Sequence, residues 1–153
     1  MDKRFKLLFV LLIFVFGIFT YSHLNDQIET VNVYKIEVVE DKAYTKLEEV
    51  VYYLYTFDKL PNNYLTKNEA MSLGWISSEG DLWEVTDMKS IGGDIFYNRE
   101  RQLPNADQRV WYECDINYQG GFRNAERLVY SNDGLFYYTD DHYDTFTEIT
   151  IKE

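Results

Sequence analysis

Glu113, Arg123, Arg127 and His142 fall within one stretch, residues 109–143, which reads RVWYECDINYQGGFRNAERLVYSNDGLFYYTDDHY. A carboxylate that can take a proton, an imidazole that can give one and two fixed cations suit acid–base chemistry at a phosphate. A phosphoryl transition state needs both proton transfer and neutralisation of its oxygens. Successive side chains of a strand point to opposite faces, so Trp111, Glu113 and Asp115 share one face and Tyr112, Cys114 and Ile116 the other. After the turn signal Gln119-Gly120-Gly121 a second alternating run puts Arg127 and Val129 on one side, and antiparallel pairing would set Arg127 beside Glu113.

The same residue types also occur on ordinary solvated strand faces, and two carboxylates invite comparison with a glycosidase. Glu113 and Asp115 are poorly placed for that chemistry. Residues two apart on a strand lie about 7 Å apart and point the same way, rather than flanking a sugar from two sides.

The elements that must position these groups are legible in outline. Leu47, Val50, Val51 and Leu54 recur at helical spacing, which predicts an amphipathic helix that ends before Pro61 and covers a sheet. Thr66-Lys67-Asn68-Glu69 fits a capping box and places Lys67 in the first turn of a helix, where ammonium and helix terminus both favour a phosphate. Residues 82–85 suggest a further short helix. Alternating runs at 91–97, 110–116, 127–130, 135–138 and 146–151 predict five antiparallel strands. Helices first and strands second indicate an α+β fold, with N-terminal helices packed on a five-stranded antiparallel sheet.

The 153 residues suit one domain behind a short leader. Lys3, Arg4 and Lys6 precede an uncharged, nearly all-apolar run over 7–21, the layout of a secretory signal. As a helix that run reaches about 22 Å, short of the roughly 30 Å hydrocarbon core. The expectation is a signal peptide over 1–22 and a secreted protein, with a retained, outward-facing membrane anchor as the alternative. Residues 23–46 are polar and acidic, carry a brief strand-like run at 31–39, and are read as a pro-segment or linker. Cys114 is the single cysteine, so no internal disulfide forms, and its parity makes it a small buried hydrophobe opposite Glu113. One Cys and two His do not make a zinc constellation, and neither metal nor cofactor is expected.

Net charge is −11, and without residues 1–22 it becomes −13, with 12 Lys and Arg against 25 Asp and Glu. A polyanionic partner would therefore depend on cations at contact range. Distant acids are screened over a Debye length of about 8 Å at physiological salt.

Four strings carry a specific likeness: KLPNNYLTKNEAMSLGW at 59–75, KSIGGDIFYNRE at 89–100, DINYQGGFRNAER at 115–127 and TDDHYDTFT at 139–147. In order and spacing they resemble the barnase and binase family of secreted bacterial guanyl-preferring ribonucleases. The resemblance implies a ribonuclease domain over 47–153 with Glu113 as general base, His142 as general acid, and Lys67, Arg123 and Arg127 as phosphate-binding cations. It implies that Phe96, Tyr97, Asn98, Arg99 and Glu100 form the guanine-reading loop, with Glu100 accepting from the base edge and the backbone amides of Asn98 and Arg99 nearby. Phe122 and Tyr143 would flank the substrate, and Asp115 and Asp94 would stand behind the residues that touch it, Asp115 orienting the two arginines.

The implied activity is metal-independent cleavage of single-stranded RNA 3′ of guanosine, by a monomer, through a 2′,3′-cyclic phosphate that is then hydrolysed. An intracellular inhibitor of the barstar type is the implied protein partner. Three positions depart from the family's pattern: Asp58 stands where the best-known member has a histidine, Gly134 where the family has an aromatic, and Tyr97 where it has a small residue. The competing expectation is a non-catalytic exported binding module on the same fold.

Overall fold

The computed structural model describes residues 30–153, so the expected leader lies outside the described residues. Helix α1 (Leu47–Phe57) forms where the apolar spacing predicts it and buries Val50, Val51, Tyr53 and Leu54. Glu48 and Glu49 sit in its first turn, where acids favour the helix dipole. Asp58 ends it in left-handed backbone, its N–H donating to Leu54 O at 2.9 Å, and so places an acid at the unfavourable end of that dipole. Helix α2 (Lys67–Ser72) opens on the expected capping box: Thr66 Oγ1 accepts from the Glu69 N–H at 3.3 Å and Glu69 Oε2 accepts from the Thr66 N–H at 2.7 Å. The short α3 (Leu82–Thr86) follows.

The strands are β1 (Thr30–Tyr34), β2 (Tyr64–Leu65), β3 (Ser90–Phe96), β4 (Trp111–Asp115), β5 (Arg127–Ser131), β6 (Phe136–Thr139) and β7 (Thr147–Lys152). They form one sheet in the order β1-β7-β6-β5-β4-β3-β2. The fold is α+β, but among the described residues its sheet has seven strands and is mixed, which corrects the expected five-stranded antiparallel sheet. The five expected strands are its antiparallel centre, β3 to β7. β1 adds to β7 and β2 to β3, both parallel, at the two edges. Residues 30–34, inside the stretch expected as a pro-segment or linker, are thus an integral edge strand. Val33 is 0% exposed and lies in the same core as Val50, Cys114, Leu128 and Ile149. Burying each such aliphatic side chain stabilises the fold by about 1.5–3 kcal/mol.

Two glycines fit β3 to its neighbours. A Cβ on Gly92 would lie 2.5 Å from the Cys114 Cβ, so only glycine lets β3 approach β4 there. Gly93, at φ 91°, forms the irregularity between Gly92 and Asp94, after which Asp94 lies opposite Glu113. The sheet face away from α1 carries Leu103, Trp111 and Val129, with Phe96, Tyr143 and Phe146 partly buried against them.

Candidate active site

Strand parity holds as the sequence predicts. Cys114 is buried in the α1-side core, where burial pushes its thiol pKa well up, while Glu113 and Asp115 point to the opposite face. The expected pairing shifts by two residues, which keeps every side chain on its face: Arg127 lies opposite Asp115, and Val129 opposite Glu113. The face is also less wet than a solvated strand, with Glu113 6%, Asp115 1% and Arg127 2% exposed.

A carboxylate so buried requires partners. Lys67 Nζ binds Glu113 Oε1 from the start of α2, and the Tyr143 hydroxyl donates to Oε2 at 2.6 Å from the loop after β6. Burial first, and then the Glu113 carboxylate, push the Tyr143 pKa up, so it remains a donor. The backbone N–H of Lys67 donates to Asp94 Oδ2 at 2.9 Å. The helix terminus expected to face a phosphate is therefore occupied by a carboxylate, and the ammonium alone is presented.

Asp115 holds both arginines. Arg123 grips it in a two-pronged pair, Nε to Oδ2 at 2.7 Å and Nη2 to Oδ1 at 2.6 Å. Burial opposes the Arg123 charge, but Asp115 outweighs it and the guanidinium pKa is raised. Arg127 Nε lies 3.0 Å from the same Oδ1, an ion-pair distance without hydrogen-bond alignment, and its Nη1 donates to the carbonyls of Asn124 and Glu126. Arg127 is thereby built into the protein, whereas Arg123 keeps a fifth of its side chain exposed.

A cavity of about 430 Å³ opens beside Glu113, lined by Lys67, Phe96, Asn98, Glu100 and Tyr143. Tyr97 and Arg99 form part of its rim, the Arg99 guanidinium 5.4 Å over the Tyr97 ring. Phe96 and Tyr143 stack with centroids 5.4 Å apart, giving the cavity an aromatic wall. The Asn98 side chain closes its own loop, accepting from the Leu103 N–H at 3.1 Å and donating to Leu103 O at 2.8 Å. Glu100 makes no ion pair among the described residues. Phe122 lies outside this cavity and is 70% exposed. His142 also lies outside its lining, exposed, with its ring 5.3 Å from that of Tyr143, whose hydroxyl reaches Glu113.

Thr139, Asp141 and Thr145 bond the loop that carries His142, and little local in the sequence marks them out for that. A Thr-Asp-Asp run between strands reads as any polar turn, although a threonine and an aspartate bracketing a histidine were a usable signal.

A family model described as ribonuclease matches residues 48–150, and the chain belongs to that family. Over 97 residues it is 60% identical to a ribonuclease of Bacillus intermedius, a match covering 63% of this chain and 60% of that protein. It is 59% identical over 97 residues to a ribonuclease of Heyndrickxia coagulans, covering 63% of this chain and 89% of that one. It is 36% identical over 55 residues to the guanyl-specific ribonuclease St of Saccharopolyspora erythraea, covering 35% of this chain and 54% of that protein. The match thus spans less than two thirds of the Bacillus relative's length.

Proposed function

We propose that the chain is an endoribonuclease that cleaves single-stranded RNA 3′ of guanosine. The observation that carries this reading is the Glu113 carboxylate, held between Lys67 and Tyr143 at the mouth of an aromatic-walled cavity, with Arg123 anchored nearby on Asp115. Membership of the ribonuclease family supports it as well.

Glu113 takes the proton of the ribose 2′-hydroxyl, which attacks the adjacent phosphorus. Protonated His142 gives a proton to the departing 5′-oxygen. Lys67 and Arg123 neutralise charge on the phosphorane oxygens, and Arg127 sets Asp115, and through it Arg123, in place. A 2′,3′-cyclic phosphate is released and then hydrolysed with the two proton roles reversed. The substrate supplies its own nucleophile and the cations stabilise the phosphorane, so no step calls for a metal. DNA, lacking the 2′-hydroxyl, binds without being cut.

Guanine enters the cavity between Phe96 and the Tyr97–Arg99 rim, with Glu100 accepting from its donor edge. The name of the Saccharopolyspora relative supports that preference. Export through residues 1–22 and restraint by an intracellular inhibitor of the barstar type complete the reading.

Digestion of RNA in EDTA with an assay for cyclic phosphate tests the proposal. Cyclic guanosine ends appearing at an undiminished rate support it. Intact RNA leaves the non-catalytic binding module as the better reading.

A further inference from the structure

His142 and Tyr143 have backbone φ of 64° and 76°. That region is disfavoured for residues with a Cβ, and two in succession persist only where the surroundings hold them. Here a closed set of side-chain hydrogen bonds does so. Thr139 Oγ1, on a residue only 2% exposed at the end of β6, accepts from the Tyr143 N–H at 3.0 Å and donates to Asp141 Oδ1 at 2.8 Å. Asp141 Oδ1 also accepts from the Thr145 N–H at 2.9 Å, and Oδ2 accepts from the Thr145 hydroxyl at 2.5 Å. The Asp141 carboxylate therefore ties the sheet end of the loop to its far side, with His142 between. Those bonds, Thr145's first, hold its pKa down at about 2, so it acts as an ionised acceptor wherever the protein is folded at ordinary pH.

We propose that Asp141 is a positioning residue for catalysis: through Thr139 and Thr145 it fixes the left-handed backbone that presents the His142 imidazole to the leaving 5′-oxygen. This rests on the reading of His142 as general acid. Orientation of a proton donor matters because misplacement by about 1 Å costs on the order of 100-fold. Tyr143, bonded to Glu113, ties the same loop to the base, so one clamp sets donor and acceptor relative to each other.

A general acid is needed only by a poor leaving group, which separates positioning from simple loop stability. Full-length protein and its Asp141→Ala, Asp141→Asn and Thr145→Val variants are assayed on guanylyl-3′,5′-adenosine and on guanosine 3′-(4-nitrophenyl phosphate), whose nitrophenolate leaves without a proton. Asp141→Ala is expected to lower kcat on the dinucleotide tenfold or more, with KM within about twofold, and to change turnover of the aryl ester less than threefold. His142→Ala should show the same dependence on leaving group.

Asp141→Asn keeps an acceptor toward Thr139 and a polar partner for the Thr145 hydroxyl, and should recover most of the loss. Should Asp141→Ala fail to fold, Thr145→Val, which keeps the Thr145 N–H, should show a milder loss of the same pattern. Equal losses on both substrates, a loss confined to KM, or unchanged dinucleotide turnover overturns the proposal while leaving the ribonuclease reading intact. Absence of dinucleotide turnover in the unsubstituted protein overturns both.

Discussion

The Tyr143 hydroxyl donates to Glu113 Oε2 at 2.6 Å, so a residue of the β6–β7 loop completes the environment of a carboxylate on β4. Among the described residues the other side-chain partner of Glu113 is Lys67, on Oε1. Removing the hydroxyl strips a hydrogen bond to a charged group, an interaction of about 1.5–3 kcal/mol. Tyr143→Phe is accordingly expected to lower kcat/KM by roughly 10- to 100-fold with little change in fold. Steady-state kinetics on a guanosine dinucleotide, alongside circular dichroism, checks this.

Asp115 is the counter-ion of two arginines and has no exposed side-chain surface. Replacing it leaves buried guanidinium charge without a partner, which costs about 3–5 kcal/mol. Asp115→Ala should lower the urea midpoint by that equivalent and abolish most activity. A stability within 1 kcal/mol of the parent would mean that the guanidinium groups find other partners.

Acid should loosen the hairpin and the His142 loop by the same route. Asp133 is held at about 2, chiefly by the Arg109 guanidinium and then by Ser131, and Asp141 at about 2 by Thr145 and Thr139. Their folded pKa values lie below the ordinary 3.8, so the stability they contribute is present above about pH 4 and lost as pH falls toward 2. Both groups face solvent, so the effects are modest. Thermal melts of the parent and Asp133→Asn from pH 6 to 2 should differ most at the upper end and converge at the lower.

Val33 carries β1 into the main core, although it precedes the stretch shared with the ribonuclease family. Val33→Ala should cost about 2 kcal/mol, from lost apolar burial and the cavity left behind. Chemical denaturation measures it. A change of a few tenths would show β1 to be a loosely attached edge.

What was legible in the sequence was local. The capping box from Thr66 to Glu69 needs four consecutive residues, α1 needs one apolar period, and the inward turn of Cys114 against Glu113 needs only strand alternation. Register and edges are not local. Nothing near Thr30 announces that it will pair in parallel with Glu148, and a two-residue strand such as β2 has no period at all. The placement of Arg127 opposite Asp115 depends on how β4 and β5 meet. The capture of the Lys67 amide by Asp94 depends on the irregularity at Gly93. Residue types at the site, and through the family resemblance the hold of Asp115 on the two arginines, could therefore be read from the chain, whereas the capture of the Lys67 amide by Asp94 and the hold of Asp141 on the His142 loop had to be seen in three dimensions.

The most direct measurement is the rate of cyclic phosphate release from guanylyl-3′,5′-adenosine, in EDTA, by the parent, Glu113→Ala and His142→Ala. General acid and base groups each contribute about 100- to 10,000-fold, so both variants should fall by that order while still binding guanosine 3′-phosphate. Parental turnover in His142→Ala, or a parent that releases no cyclic phosphate, would contradict acid–base cleavage at this site.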